Sequence, residues 1–369
     1  YCTDDTSVSI LGDDSEKEGK MSPRNLQCST MTDELKLATN FKGKVIGMSI
    51  KDRGAILPAG HFADWAFWYS KTGAFISSTY YGEKLPDWAT QFNSEKHYLN
   101  YLSKNWELLK PIATYNESLN DNNPYEGKLY KKAPFMPYNL KDMYDANDAG
   151  VLRSTPFGNN LLADFAKKAI ESENLGKDNV PDFLAISFSS TDYIGHVLGP
   201  RSIELQDTYL RLDETIADFL IYLDKTVGKG NYLVFLTADH AGAENVTYLK
   251  DNKYKVDNIN YKNIQKELKE FSEVTFGENL VLDYSNYNLS KSNKSPYNKD
   301  KFIKITTDSQ GNSKQTETDA LYVCAENGLF AVTNGANAGT QLTAFLTGRE
   351  VFGGKVNGYK FYKILLNEF

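Results

Sequence analysis

Two stretches of the sequence decide the fold: Phe183-Leu184-Ala185-Ile186-Ser187-Phe188, leading to Ser190-Thr191-Asp192-Tyr193-Ile194-Gly195-His196, and Tyr232-Leu233-Val234-Phe235-Leu236, leading to Thr237-Ala238-Asp239-His240. Each apolar run is short, rich in β-favouring residues and bounded by polar or turn residues, which predicts a buried strand. Ligands of open α/β sheets bind at the carboxyl ends of the strands. The pattern therefore predicts an Asp and a His from each stretch at one ligand-binding edge.

The segment between the two stretches has the spacing of a long helix. Residues 203–226 carry apolar side chains at helical intervals, and Gly228-Lys229-Gly230 follows as a stop. A strand, a helix and a second strand in this order are typical of a βαβ unit. We therefore predict two parallel strands joined by a right-handed crossover.

The Asp and His residues of the two stretches suit a metal ion. Asp192 and His196 are four residues apart, so they lie on one face if that segment is helical. Asp239 and His240 are adjacent and can share a site where the chain turns after a strand. Carboxylate and imidazole ligands without sulfur favour zinc or manganese. A single motif of this kind is more often a surface or capping pair, but two motifs at one edge favour the metal site.

Two cations follow another predicted strand. Lys51 and Arg53 come directly after residues 44–50, so they could lie at the same edge and clamp a phosphoryl group. A solvated strand end explains them equally well. His61 we interpret as structural.

Composition excludes some classes of partner. The chain has 369 residues and a formal net charge of −7, so no basic field favours nucleic acid or an anionic membrane. No apolar run reaches the length of about 20 residues that a membrane-spanning helix needs. Because Tyr1 replaces the usual Met, the chain is interpreted as processed or a fragment, and the missing signal peptide says nothing about compartment. Cys2 and Cys28 could form a disulfide or stay free thiols.

Taken together, these motifs resemble the alkaline phosphatase superfamily, and most of all the PafA-type bacterial alkaline phosphatases. The resemblance rests on residues 51–61, 190–196, 202–213 and 237–240. It implies an α/β fold with a mostly parallel sheet and flanking helices, plus a small α+β cap module. We expect an incomplete core over 1–249 with a surface insertion at about 82–150, the cap module over 250–345 and a truncated return to the core over 346–369.

The resemblance also implies a zinc-dependent phosphomonoester hydrolase with two Zn²⁺ per complete enzyme. Asp192 and His196 would bind the first zinc, and Asp239 and His240 the second. Lys51 and Arg53 would contact the non-bridging phosphate oxygens as catalytic residues. A small-molecule phosphomonoester as substrate, a monomeric state, no nucleic-acid or membrane partner, and a periplasmic or secreted location are expected with it.

Several residues of the family pattern are missing from this sequence. The nucleophilic Thr, one Asp ligand and a phosphate-binding Asn would precede Tyr1, and a further His ligand would follow Phe369. We therefore expect an interior fragment with little phosphatase activity of its own. The alternatives are a phosphodiesterase or nucleotide pyrophosphatase of the same superfamily, which usually lacks the Lys-x-Arg pair, and a non-catalytic relative that keeps only the fold.

Overall fold

The computed structural model describes most of the chain, in the ranges 2–13, 19–129, 135–144, 148–258, 260–277, 279, 281–285, 288–291, 302–307, 313–318, 320–325 and 328–333. The chain divides into two compact units, Tyr1–Val256 and Asp257–Phe369. Each unit is described by itself.

The first unit alternates strands and helices along the chain. Its strands are β1 (Ile10–Leu11), β2 (Val45–Ser49), β3 (Trp65–Tyr69), β4 (Phe75–Ser78), β5 (Asn105–Trp106), β6 (Tyr138–Asn139) and β7 (Phe183–Ser187). Its α-helices are α1 (Met31–Ala38), α2 (Asp52–Ala59), α3 (Asp87–Ser94), α4 (Tyr98–Leu102), α5 (Leu140–Met143), α6 (Pro156–Glu173), α7 (Ser190–Leu198), α8 (Ile203–Leu223) and α9 (Val246–Asp251). Short 3₁₀ turns lie at Pro23–Asn25, Ile112–Thr114 and Ala149–Ser154, and a π-helical turn, Asp224–Gly228, follows α8.

Five strands form the central sheet in the order β1-β4-β3-β2-β7. Strand β2 pairs in parallel with both β3 and β7, whereas β4 and β1 add to the other edge in antiparallel orientation. The predicted α/β class, a sheet with a parallel centre and flanking helices, is confirmed.

Alternation along β3 explains how the sheet is covered on both faces. Phe67 and Tyr69 point into the larger apolar cluster with α6, and Ala66 and Trp68 point into the smaller cluster with α2. Aromatic rings dominate the α6 side, where Phe165 stacks on Phe75 of β4 with ring centroids 4.0 Å apart.

Helix α2 lies unusually close to β2 because β2 carries a glycine. A Cβ atom added to Gly47 would stand 2.1 Å from the Ala55 carbonyl oxygen and 2.8 Å from the Ala59 Cβ. The close contact holds α2 against β2, and Lys51 lies in the short connection between the two elements.

The prediction of a strand over residues 232–236 is wrong. This segment, which the structure describes throughout, forms no strand, and the side chains of Leu233 and Leu236 are 92% and 80% exposed. Within the part of the chain that the structure describes, β7 pairs on one side only, with β2. A buried strand needs a hydrogen-bonded neighbour and covered faces. No described residue covers the side chains of Leu233 and Leu236. Their burial therefore supplies no hydrophobic free energy to offset the loss of backbone hydrogen bonds to water. The predicted βαβ unit is therefore not formed.

The remaining parts are small. Strands β5 and β6 pair in antiparallel orientation inside the predicted insertion at 82–150. The described residues of the second unit form the helix α10 (Tyr261–Phe276) and the strands β8 (Val281–Ser285), β9 (Asn288–Lys291), β10 (Phe302–Thr307), β11 (Ser313–Thr318), β12 (Ala320–Ala325) and β13 (Gly328–Thr333), which pair as three hairpins. The division into core, cap module and return stays a prediction, and the return over 346–369 lies outside the described residues.

Cys2 and Cys28 are exposed free thiols. Among the described helices, none combines the length and the apolar character that crossing a membrane requires.

Candidate active site

The first predicted motif is helical. Strand β7 ends at Ser187, and α7 begins three residues later at Ser190. Asp192 and His196 are therefore one helical turn apart, and the Asp192 Oδ1 to His196 Nε2 distance is 3.3 Å. The structure thus places this pair on one face of α7, just past the end of β7.

Lys51 reaches the same place from the neighbouring strand. It lies two residues after β2 and directly before α2, and its Nζ forms an ion pair with Asp192 Oδ2. The ammonium also stands 4.7 Å from the centroid of the Tyr193 ring. Both charged side chains are largely buried, at 12% exposed for Lys51 and 19% for Asp192. Because β2 and β7 are parallel neighbours, their carboxyl ends bring these two side chains together.

Serine hydroxyls fix the two strand ends relative to each other. Ser49 Oγ lies 2.9 Å from Ser189 Oγ and donates to the Ser187 carbonyl oxygen at 3.2 Å. The Lys51 amide in turn donates to Ser49 Oγ at 3.0 Å. Sequence reasoning missed this role, although serines at both strand ends were a visible signal.

The second motif reaches the site from the irregular segment that follows α8. His240 Nε2 lies 3.4 Å from Asp192 Oδ1 and 3.6 Å from Asp239 Oδ2. Its side chain is 58% exposed, and that of Asp239 is 91% exposed. The structure thus brings five predicted residues together in spite of the missing strand. Arg53, the sixth, lies exposed in the first turn of α2.

The electrostatic surroundings favour an ionised Asp192. Burial alone would raise its pKa, but the hydrogen bond and charge of Lys51, with smaller contributions from His196 and His240, hold the pKa below its ordinary value. An ionised carboxylate between two imidazole rings is a metal-binding donor set. Both ring nitrogens of His61, by contrast, face acceptors within the fold, with Nδ1 2.9 Å from Asp33 Oδ2 and Nε2 2.9 Å from the Leu26 carbonyl oxygen.

The pairwise donor distances are compatible with zinc, although no three of these donors lie within 4.8 Å of one another. Two ligand atoms that each lie about 2.0–2.2 Å from a tetrahedral ion stand about 3.3–3.6 Å apart. The three carboxylate-to-imidazole distances, 3.3 Å, 3.4 Å and 3.6 Å, fall in this range. Each Asp–His pair is therefore compatible with two ligands of one ion, although the Lys51 ammonium already neutralises the other oxygen of Asp192.

Comparison with known proteins identifies the family of the chain. The family model for type I phosphodiesterase / nucleotide pyrophosphatase matches residues 34–324. The chain belongs to this family. The match covers the β2, α7 and His240 parts of the site in one alignment.

Similar proteins place this family member near the alkaline phosphatases. The alkaline phosphatase PhoV of Synechococcus elongatus is 52% identical over 255 residues, which are 69% of this chain and 46% of PhoV. A Myroides odoratus protein named calcium-transporting ATPase is 50% identical over 294 residues, which are 78% of this chain and 54% of that protein. The crystal structure of wild-type alkaline phosphatase PafA matches with a TM-score of 0.75 and 45% identity, covering 80% of this chain and 56% of PafA.

These matches confirm the resemblance to PafA-type alkaline phosphatases and the fold that it implied. Membership of the family also implies a metal cofactor. The chain spans about half the length of the curated relatives it matches.

Proposed function

We propose that this chain supplies the zinc ligands and phosphate-binding cations of an alkaline-phosphatase-type phosphomonoesterase. The observation that carries the proposal is the meeting of Lys51, Asp192, His196 and His240 at the carboxyl ends of β2 and β7. The imidazoles of His196 and His240 are 76% and 58% exposed, so a metal ion can reach them beside the ionised Asp192.

Each side chain has a distinct part in the proposal. Asp192 and His196 would hold one Zn²⁺, and Asp239 and His240 the other. Bound zinc would supply stabilisation of negative charge on the phosphoryl group and a lowered pKa for water. Lys51 and Arg53 would bind the non-bridging oxygens of the phosphate.

Asp192 and a substrate phosphate would compete for the ammonium group of Lys51. In the structure its ammonium binds Asp192, and a substrate phosphate would compete for the same group. The competition has a physical basis, since a phosphate oxygen and a carboxylate oxygen accept the same hydrogen bond. Lys51 would therefore orient the substrate only after its contact with Asp192 is weakened.

A phosphodiesterase or nucleotide pyrophosphatase is the second candidate, and the name of the matching family supports it. The Lys-x-Arg pair favours monoesters, because a monoester carries one more anionic oxygen than a diester for the two cations to bind. A monomeric state and a periplasmic or secreted location remain predictions from the resemblance.

The 369-residue chain alone should hydrolyse phosphoesters poorly. Each proposed zinc has two ligands within this sequence, and an ion with two protein ligands binds weakly. Turnover of p-nitrophenyl phosphate and of bis(p-nitrophenyl) phosphate, each measured with added Zn²⁺, tests this. Little turnover of either is expected. Rapid monoester hydrolysis would refute the inactivity of the chain, and faster diester than monoester hydrolysis would support the second candidate.

Substitution Asp192→Asn tests the metal site itself. It removes the charge that both histidines and Lys51 share, so we expect at least a tenfold weaker Zn²⁺ affinity in a calorimetric titration of the chain. Asp87→Asn is the matched control, because Asp87 pairs with Lys84 on the surface with 92% of its side chain exposed. The zinc roles are refuted if the unaltered chain binds no Zn²⁺, or if the Asp192 variant binds it as well as the control does.

A further inference from the structure

A second cluster of acidic side chains lies outside the proposed active site. One carboxylate oxygen each from Asp121, Glu126 and Glu204 lie within 4.8 Å of one another. Glu204 belongs to the first turn of α8 and is 0% exposed, whereas the other two belong to the loop before β6 and are half-buried. Among the described residues this is the one group of three or more such side chains close enough to share an ion.

Each of the three carboxylates has one hydrogen-bonded oxygen. Tyr138 Oη donates to Glu204 Oε1 at 2.7 Å, the Met136 amide donates to Asp121 Oδ2 at 3.2 Å, and Asn123 Nδ2 donates to Glu126 Oε1.

The second oxygen of each carboxylate is buried without a partner in the described part of the chain: Asp121 Oδ1, Glu126 Oε2 and Glu204 Oε2. Leaving a buried acceptor unsatisfied costs about 1–3 kcal/mol, and more if it is charged. Three such oxygens in one place indicate a missing donor or cation. The Glu204 side chain is the decisive observation, because it is wholly buried from bulk solvent and one of its oxygens has no partner among the described residues.

Charge points in the same direction. Burial, with the neighbouring carboxylate charges adding to it, raises the pKa of Glu126 to about 8 and that of Glu204 to about 7. Ionisation of all three neighbouring carboxyl groups is therefore unfavourable unless a cation binds between them.

We propose that Asp121, Glu126 and Glu204 bind a divalent cation that prefers oxygen ligands, with Ca²⁺ as the best fit. The ligands are carboxylate oxygens with no nitrogen or sulfur, which is the set that hard cations take. Ca²⁺ accepts an irregular arrangement of six to eight oxygens and carboxylates bound through one or both atoms, whereas Mg²⁺ demands a near-octahedral set. This inference does not depend on the proposed phosphatase activity.

The cation would fasten the loop to the helix pair that carries the active site. The loop is already attached there by two backbone hydrogen bonds, from the Gly127 amide to the Val197 carbonyl at 2.9 Å and from the Leu119 amide to the Arg201 carbonyl at 2.8 Å. Val197 directly follows His196. An ion between the loop and Glu204 would therefore stabilise the junction of α7 and α8.

Thermal unfolding of the metal-depleted 369-residue chain, with and without added Ca²⁺, tests the proposal. We expect Ca²⁺ in large excess to raise the unfolding midpoint by roughly 4 °C or more. Glu204→Gln and Glu126→Gln keep the side-chain size but remove a charge, and each should abolish most of that rise. Glu214→Gln is the matched control, because Glu214 lies exposed on the same helix and pairs with Lys110; this variant should keep the full rise.

A direct binding measurement guards against a variant that folds poorly. Tb³⁺ luminescence excited through Tyr138 or Trp106 should appear in the unaltered chain and decrease when Ca²⁺ displaces the Tb³⁺. It should be lost in the Glu126→Gln variant, which is suited to this test because Glu126 is only half-buried. The proposal is overturned if Ca²⁺ does not shift the midpoint of the unaltered chain. It is also overturned if both cluster variants respond to Ca²⁺ as the control does, because the ion would then bind elsewhere.

Discussion

At the scale of single residues, Asp192 shows how far sequence reasoning reached. Its spacing from His196 was predictable, because four residues correspond to one helical turn. Its ion pair with Lys51 was not, since the two residues are 141 positions apart and the sequence suggested a phosphate contact for Lys51. The acidic cluster was missed for the same reason: nothing local marks Glu204 as a neighbour of Asp121.

The Asp33–His61 pair gives a prediction about pH. Burial alone would lower the pKa of His61, but Asp33 and the Leu26 carbonyl raise it above the ordinary value of 6.5. The pKa of Asp33 is lowered, because hydrogen bonds from His61 and from backbone amides outweigh its burial. The contribution of His61 is therefore full below pH 6.5 and is lost as the pH rises through the raised pKa. The contribution of Asp33 to stability is present above the ordinary pKa of an Asp side chain. It is lost as the pH falls through the lowered pKa of Asp33.

Unfolding midpoints of the chain and of its His61→Gln variant, measured at pH 6 and at pH 8.5, should show this. The variant should lose more stability relative to the unaltered chain at pH 6 than at pH 8.5. His97→Gln is the control, because His97 pairs with Glu95 at the surface and such pairs contribute about 0–1 kcal/mol. An equal loss at both pH values would show that His61 contributes through packing and not through its charge.

At the scale of secondary structure, the sequence predicted elements well where neighbours in the chain supply the packing. Strands β2 and β7 and helix α8 lie where the apolar patterns placed them. The failed strand at 232–236 has an equally good pattern, so the pattern was not the problem. Whether an apolar run becomes a strand depends on which distant residues pair with it and cover it, and those cannot be deduced from the run itself.

The contact between β2 and α2 yields a prediction at this scale. Gly47→Ala would place a methyl group against the Ala55 carbonyl, and neither backbone can move without disturbing the sheet. We expect a loss of about 1–3 kcal/mol in the free energy of unfolding, measured with urea. Gly242→Ala is the control, because its added Cβ would meet only Pro200, at an ordinary 3.7 Å. A Gly47 variant as stable as the control would mean that α2 is held less tightly than its position indicates.

At the scale of the whole molecule, the first unit contains all six residues that this sequence contributes to the proposed site. Both apolar clusters and the five-stranded sheet lie within Tyr1–Val256. The division into core, cap module and return stays a prediction, and it rested on motifs of the core and not on the second unit.

A truncated chain ending at Val256 should therefore fold by itself. We expect an unfolding midpoint within about 3 °C of the transition of the same unit in the full chain, because the truncation removes no part of its core. A shorter chain ending at Gly228 is the comparison; it also removes Glu244, which pairs with Arg201, and Asn245, which donates to the Tyr125 carbonyl. It should melt at a lower temperature. Failure of the longer truncation to unfold cooperatively would contradict the independence of the first unit.

The pairing of β2 with β7 also has a consequence for the order of folding. Directly before β2, the Lys44 amide donates to Asp182 Oδ1, which lies 138 residues further along the chain. The connection between β2 and β3 is much shorter, because it consists mainly of the helix α2. Closing the longer loop loses more chain entropy and slows the search, so β3 should dock on β2 before β7 does. The end of β2, with Lys51, would then be in place before β7 docks and Asp192 forms its ion pair with Lys51. In partly folded states of the chain, the Lys51 ammonium would lack the Asp192 carboxylate as its partner.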